Sequence, residues 1–224
     1  MTSDSAHRLI LASGSPRRAQ ILYEAGLNFE VRPANVDEDA VLYGKSNIER
    51  AVQALASAKV GAVGGTGTEE YVLGADTVVI LDDRVLGKPE SKDHAKEMLG
   101  RLGGRDHDVI TGIAVADLSG QVTTSFVRTV VTFNELSESC ISDYVSSGLP
   151  LDKAGGYGIQ DSAYDPVARY DGCYLNVVGL PMCETTKLLK ISGFLLAREI
   201  TCEGHSVAAD GSVIRPFKFR ENHS

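Results

Sequence analysis

The alternation of apolar and polar residues at the start of the chain predicts a strand, a helix and a second strand. Residues 8–12, in which Arg8 is followed by four apolar residues, are typical of a short buried strand. The next segment, 16–25, has Pro16 at its first helical position and Gly26 just after its end, which are start and stop signals of a helix. Residues 29–32 then predict another strand.

The same reading divides the rest of the chain into alternating elements. A helix over residues 47–60 is indicated by apolar residues at helical spacing, and the apolar run 71–81 predicts a strong strand interrupted at 74–77. The other predicted elements are a return strand at 85–86, a helix at 91–102, antiparallel strands at 108–117 and 122–133, a helix at 137–146, a strand at 174–178 and a helix at 181–192. Helices that alternate with strands, together with a hairpin in the middle, predict an α/β domain with a mixed sheet.

Composition places few limits on function, but charge gives one. The hydrophobic content of 43% is ordinary for a globular domain, and residues 1–200 are predicted to form a single domain, with a polar tail at 201–224. The formal net charge of −8 disfavours nucleic acid as a partner, because such binding needs a basic surface. An anionic substrate would therefore need a local cluster of cations.

Targeting signals and cysteine pairs are not evident in the sequence. We find neither a signal peptide nor an apolar run of membrane-spanning length, which predicts a cytoplasmic protein with no membrane partner. None of the four cysteines lies in a CxxC pair, so free thiols are expected.

The segment Ser13–Arg18 is a candidate phosphate site. It lies where the first strand turns into the first helix, and a helix N-terminus offers unpaired backbone N–H groups to an anion. Ser13 and Ser15 add hydroxyl groups, with Ser15 at the N-cap position. Arg17 and Arg18 add guanidinium groups. The alternative is a capped helix with two solvated arginines.

A second candidate site centres on Asp76, which interrupts an apolar strand. A carboxylate there is costly unless it is paired, hydrogen-bonded or bound to a metal, and functional carboxylates often carry that cost. The predicted hairpin after it returns Lys88 towards the level of Asp76, where a lysine can neutralise phosphate or pair with the aspartate. The alternatives are that Asp76 is only hydrogen-bonded within a turn or bulge and that Lys88 is only solvated.

Three weaker signals complete the candidate chemistry. The glycine-rich segment 151–160 permits close backbone approach, and Gln160 at its end carries an amide able to read a base edge. Glu38 lies in an acidic loop and could ligate Mg²⁺. Lys59 lies near a predicted helix end, where a cation is favourable in any case. The Walker and dinucleotide-binding patterns are absent.

Five motifs in order resemble one known family. LASGSPRR, LGADTVV, GKP, LDKAGGYGIQ and NVVGLP, within the span from Leu9 to about Ser192, are similar to the motifs of the Maf family of nucleotide pyrophosphatases. The resemblance implies an elongated mixed sheet flanked by helices, with two lobes around a central cleft, as in inosine triphosphate pyrophosphatases. It also implies hydrolysis of nucleoside triphosphates to monophosphate and pyrophosphate with Mg²⁺ or Mn²⁺, and a homodimer. Modified nucleotides are an alternative class of substrate, since some members of the family are credited with removing them.

The resemblance also assigns roles to residues of this chain. It makes Asp76 the general base, and Glu38 and Asp76 the metal ligands. The other catalytic positions are Lys59 and Lys88, and the substrate-binding positions are Ser13, Arg17, Arg18, Thr77 and Gln160. Arg17, Thr77 and Gln160 match positions that set base specificity, and the combination looks like the subfamily acting on dTTP and UTP. Two alternatives stay open: a phosphatase releasing orthophosphate, and a nucleotide-binding regulatory module without significant turnover.

Overall fold

A computed structural model describes residues 8–38, 47–63, 69–197 and 200 of the chain. Its strands are β1 (Arg8–Leu11), β2 (Phe29–Val31), β3 (Glu70–Leu81), β4 (Arg84–Leu86), β5 (Asp106–Ala116), β6 (Val122–Phe133) and β7 (Val167–Asp171). Its α-helices are α1 (Pro16–Glu24), α2 (Ile48–Val63), α3 (Lys92–Leu102), α4 (Glu138–Ser146), α5 (Tyr174–Val178) and α6 (Met182–Ile191). The predicted tail at 201–224 lies outside the described residues.

Within the described residues, seven strands form one mixed sheet. The order is β2-β1-β3-β5-β6-β7, and β4 pairs with β3. β1 is parallel to both β2 and β3, whereas the pairs β3/β4 and β6/β7 are antiparallel. This confirms the predicted mixed sheet with helices flanking it.

Two glycines let α2 pack closely on the sheet. A Cβ atom on Gly74 of β3 would lie 2.5 Å from the carbonyl oxygen of Ala56, and one on Gly112 of β5 would lie 2.4 Å from the backbone of Val52. Any larger residue would push the helix away. The close approach buries a small-residue core that includes Ala56, Val60, Val72 and Ala114.

The chain divides into two compact units. Among the described residues, the first comprises those up to Asp76, Thr111–Phe126 and those from Met182 onwards, and the second comprises Thr77–Ile110 and Val127–Pro181. In the second unit, α3 and α4 pack against each other and against the 3₁₀ turns Leu149–Asp152 and Ala154–Gly156. Two units agree with the predicted lobes, and the central cleft stays a prediction.

Two predictions of secondary structure were wrong. Residues 174–178 form a short helix, not a strand, although β-branched and aromatic residues favoured a strand. β3 runs without interruption through 74–77, and Gly74 does not end the strand but leaves room for α2 to pack against it.

The described residues bear on two expectations, that no helix spans a membrane and that the cysteines are not in disulfides. None of its helices is both long enough and apolar enough to span a bilayer. Cys140, Cys173 and Cys183 are not joined in disulfides, as predicted. Cys202 lies outside the described residues.

Candidate active site

The turn between β1 and α1 is built around the Ser13 hydroxyl. The N–H of Ala12 donates to the carbonyl of Leu73 at 2.8 Å, which holds the chain against β3 after β1 has ended. The Ser13 oxygen then accepts from the backbone N–H of Ser15 at 3.2 Å and from an Arg18 guanidinium nitrogen at 3.0 Å. Ser15 occupies the N-cap position as predicted, but its hydroxyl makes no capping hydrogen bond.

The two arginines of this turn differ in environment. Arg18 is 9% exposed, which excludes the alternative of two solvated arginines, while Arg17 is half-buried. Burial lowers the pKa of Arg18, and the charge of Arg17 lowers it further, while Asp76 and Glu38 act to raise it. Arg18 is therefore electrostatically coupled to Asp76 and Glu38.

Asp76 and Glu38 share one ammonium group. Lys59 Nζ lies 2.6 Å from Asp76 Oδ1 and 2.6 Å from Glu38 Oε1. Asp76 and Lys59 are each 8% exposed at the side chain, whereas Glu38 is 44% exposed. Lys59 lies on α2, so the close packing of that helix on Gly74 brings its side chain to Asp76 two residues further along β3.

The pKa of Asp76 is raised above its ordinary value. Burial is the largest cause and outweighs Lys59 and Arg18, which act to lower it, and the negative charge of Glu38 raises it further. A buried carboxylate with a perturbed pKa beside specific cations is a recognised mark of a functional site. A raised pKa also brings a carboxylate closer to the value suited to a general base near neutral pH.

The predicted site residues fall into two groups. The first unit brings together Ser13, Arg18, Glu38, Lys59 and Asp76 through the contacts and charges above, with Arg17 in the same turn. The second unit contains Thr77, Lys88 and Gln160. Thr77 is half-buried, and its hydroxyl donates to the carbonyl of Gly179 at 3.4 Å. Lys88 is exposed and follows β4 by two residues, and Gln160 is half-buried.

Contacts inside the second unit join residues of four of the sequence motifs. The N–H of Gly155 donates to the carbonyl of Gly87 at 3.0 Å, which joins the glycine-rich segment to GKP. Gly155 has a φ of 70°, a conformation that favours glycine, and a Cβ atom there would make a tight contact of 3.0 Å with Val79. The Thr77 contact with Gly179 joins LGADTVV, in the middle of β3, to NVVGLP.

Sequence reasoning missed two buried polar clusters in this unit. His107 on β5 lies 2.6 Å from the Tyr157 hydroxyl, and burial lowers its pKa to about 4. Lys153, which is 6% exposed, pairs with Asp161, and Tyr144 donates to the same carboxylate. No local spacing signals either cluster, since Tyr157 follows His107 by 50 residues and Asp161 follows Tyr144 by 17.

Comparison with known proteins connects this geometry to a family. The family described as "Maf-like protein" matches residues 8–191, which include every predicted site residue. The chain belongs to the Maf-like protein family. This confirms the resemblance carried by the five motifs.

Curated relatives of this Maf-like chain share a name. A protein of Geobacillus sp. (strain WCH70) named dTTP/UTP pyrophosphatase is 45% identical over 188 residues, covering 84% of this chain and 99% of the relative. One of Moorella thermoacetica with the same name is 46% identical over 187 residues, covering 83% and 95%. Among solved structures, the Staphylococcus aureus Ham1 protein aligns with a TM-score of 0.40 at 14% identity, covering 71% of this chain and 79% of that one. The family assignment rests on the sequence matches.

Proposed function

We propose that this Maf-like chain is a nucleoside triphosphate pyrophosphatase that hydrolyses dTTP and UTP to the monophosphate and pyrophosphate. The curated relatives named dTTP/UTP pyrophosphatase support the activity and the substrate class. The observation that carries the proposal is the buried Asp76 carboxylate, held 2.6 Å from Lys59 and coupled to Arg18. An acid beside buried cations is what hydrolysis of a polyanion requires.

In the proposed reaction a water attacks the α-phosphorus. The oxygen of that water forms the new bond to phosphorus, the bond to the bridging oxygen between the α- and β-phosphates breaks, and pyrophosphate leaves. Asp76 accepts the proton that the water releases. Its raised pKa supports this role, because a stronger base takes up that proton more readily.

Four cationic side chains are proposed to neutralise the negative charge of the phosphates. We expect Arg17, Arg18, Lys59 and Lys88 to bind the triphosphate and to stabilise the charge that develops on the leaving pyrophosphate. Ser13 fixes Arg18 by accepting its hydrogen bond at 3.0 Å, so that guanidinium is positioned before substrate binds. Thr77 and Gln160 are the residues of the second unit that we assign to the base.

The carboxylates fit a hard divalent cation. Glu38 and Asp76 each place an oxygen 2.6 Å from Lys59 Nζ, so the two carboxylates lie close enough together to act as ligands of one ion. Mg²⁺ is commonly held by one or two carboxylates together with water and substrate phosphate. We therefore propose Glu38 and Asp76 as ligands for Mg²⁺ or Mn²⁺. When bound, the ion supplies neutralisation of phosphate charge.

Product analysis tests the function against its two rivals. The purified chain is incubated with each of the common ribo- and deoxyribonucleoside triphosphates and Mg²⁺, and pyrophosphate, orthophosphate and nucleotide products are separated. Pyrophosphate and monophosphate in equal amounts, fastest from dTTP and UTP, are expected. Orthophosphate with diphosphate would establish a phosphatase instead, and triphosphate binding without products would establish a regulatory module.

Localisation and assembly remain predictions. We propose a homodimer, as the family resemblance implies, and a cytoplasmic location, as the sequence predicts. Light scattering coupled to size-exclusion chromatography measures the mass in solution, and a mass equal to the 23.9 kDa of one chain would contradict the dimer.

A further inference from the structure

A buried charge network surrounds the backbone on both sides of Gln160. Lys153 Nζ lies 3.4 Å from Asp161 Oδ2 and also contacts the carbonyl oxygen of Leu149. The Tyr144 hydroxyl donates to the same Asp161 oxygen at 2.5 Å and accepts from the N–H of Gly158 at 2.9 Å. We call the side chains of Lys153, Asp161 and Tyr144, with the N–H of Gly158, the loop clamp.

The loop clamp is buried, so its members depend on one another. The side chains of Lys153 and Asp161 are 7% and 8% exposed, and Tyr144 is fully buried. A carboxylate in such a place needs compensation by a cation and by hydrogen-bond donors, and Lys153 and Tyr144 supply both. Burial and the charge of Asp161 raise the pKa of Tyr144, which keeps its hydroxyl protonated and donating.

The loop clamp fixes the residues that flank Gln160. Gly158 is tied through its N–H, and Asp161 through its carboxylate. The backbone between them forms a tight turn in which the N–H of Asp161 donates to the carbonyl of Gly158 at 3.0 Å. Gln160 thus lies in a segment anchored on both sides, while its own side chain is only half-buried.

The Gln160 amide lies directly beside the loop clamp. A Cβ atom on Gly158 would lie 2.8 Å from Gln160 Nε2, 2.9 Å from Asp161 Oδ2 and 2.9 Å from Lys153 Cε. The three side chains therefore converge over the Cα of Gly158, where only a glycine leaves room for them. A shift of the Lys153 or Asp161 side chain would therefore change the surroundings of the amide.

We infer that Lys153, Asp161 and Tyr144 are positioning residues that set base discrimination by fixing the Gln160 amide. The inference rests on the proposed function only in taking a nucleoside triphosphate as the ligand and Gln160 as the residue that reads its base. A polar site can reject a wrong partner strongly only when its donors and acceptors are held in place. Loosening the loop clamp therefore weakens discrimination between bases more than it weakens binding of the phosphates.

Binding to non-hydrolysable analogues tests this without requiring turnover. Calorimetry gives the ratio of the dissociation constants for α,β-methylene dATP and α,β-methylene dTTP, first for the wild-type chain. Tyr144→Phe keeps the ring but removes the hydroxyl, and Lys153→Met removes the ammonium. Each variant is expected to reduce the ratio by about tenfold or more. Lys153→Arg keeps the positive charge, and its ratio of dissociation constants is expected to lie close to that of the wild-type chain.

The matched control is Asp152→Asn. Asp152 also contacts Lys153, at 3.2 Å, but its side chain is 58% exposed, so this pair is expected to contribute little. Asp152→Asn should leave the ratio unchanged. A variant that is merely less stable would lower the number of binding sites for both analogues equally, and the ratio would not move.

Combination with Gln160→Ala shows whether the loop clamp acts through that residue. Gln160→Ala is expected to reduce the ratio, and adding Tyr144→Phe to it should reduce the ratio no further. The inference is overturned by an unchanged ratio in folded Tyr144→Phe and Lys153→Met, by an equal fall in Asp152→Asn, or by a wild-type ratio near one. Absence of pyrophosphate release by the wild-type chain would overturn the proposed function alone, since the binding ratio is measured without it.

Discussion

At the scale of single residues, Asp76 combines burial with direct contact to a cation. Its side chain is 8% exposed, and Lys59 Nζ lies 2.6 Å from its Oδ1 atom. Replacement by Asn keeps the shape but removes the basic oxygen. We expect Asp76→Asn to lower kcat at least ~10²-fold, the low end for loss of a general base, as measured by pyrophosphate release from dTTP.

The control for Asp76→Asn is nucleotide binding. The cationic groups of the site remain in that variant, so affinity for α,β-methylene dTTP should change much less than kcat. Near-normal turnover by a folded Asp76→Asn protein would contradict the assignment of the base.

The ammonium of Lys59 should control the pH at which Asp76 becomes active. Burial raises the pKa of Asp76, while Lys59 opposes the rise, so removing Lys59 raises that pKa further. A base must be ionised to act, and activity therefore falls as the pH drops through its pKa. We expect the acid limb of the pH profile of kcat/KM to move to higher pH in Lys59→Met.

The shift of the acid limb should depend on the positive charge at residue 59 and not on the shape of the lysine side chain. Lys59→Arg keeps a cation near the carboxylate and should leave the acid limb closer to that of the wild type. An acid limb at the same pH in Lys59→Met and wild type would show that Asp76 does not govern it.

At the scale of elements, Gly74 connects the packing of α2 to the chemistry of the site. A Cβ atom at this position would lie 2.5 Å from the carbonyl oxygen of Ala56 and 2.8 Å from a methyl group of Val60. We expect Gly74→Ala to lower the free energy of unfolding by about 1–3 kcal/mol, as overpacked cores do. Activity should fall as well, because Lys59 lies on the displaced helix.

The matched control is Gly61→Ala on the same helix. A Cβ atom at Gly61 meets no other atom within 4 Å, and alanine favours the helical state. Its unfolding free energy should be equal to or higher than that of wild type, with activity retained. Denaturant unfolding and pyrophosphate assays of the two variants provide the comparison, and equal stability of Gly74→Ala and wild type would contradict the packing argument.

Elements with strong local signals could be predicted from the sequence, and those set by long-range contacts could not. The helix that begins at Pro16 and the hairpin turn at Asp82 and Asp83 were predicted from such local signals, and the structure confirms both. Residues 174–178 form a helix because the surrounding structure overrides their strand propensity. Asn176 within it donates to the carbonyl of Val109 and to the Thr129 hydroxyl, contacts 67 and 47 residues away in sequence.

In the candidate site, too, single residues could be predicted from the sequence, but contacts between distant residues could not. The sequence motifs identified Asp76 and Arg18 as candidates, and the family resemblance added Lys59. The structure brings all three into one charge cluster. The sharing of one ammonium by Glu38 and Asp76 was not foreseen, because it depends on the packing of α2 on Gly74. The pairing of Lys153 with Asp161 was not foreseen either, since no spacing rule links them.

At the scale of the whole molecule, His107 should make stability depend on pH. Burial lowers its pKa from 6.5 to about 4, so the folded state disfavours the proton that the unfolded state accepts. This contribution to stability is complete above pH 6.5 and is lost as the pH falls towards 4. The loss amounts to at most about 3 kcal/mol.

Denaturant unfolding at pH 7 and pH 5 measures this contribution. The wild-type chain should lose stability between the two values, and His107→Gln, which cannot be protonated, should lose less. Identical losses in the two proteins would show that other groups account for the pH dependence.

The position of water attack tests the central claim most directly. The chain is incubated with dTTP and Mg²⁺ in H₂¹⁸O, and the products are examined by mass spectrometry. Attack at the α-phosphorus predicts one ¹⁸O atom in dTMP and none in pyrophosphate. Label in pyrophosphate, or labelled orthophosphate released together with dTDP, would contradict it.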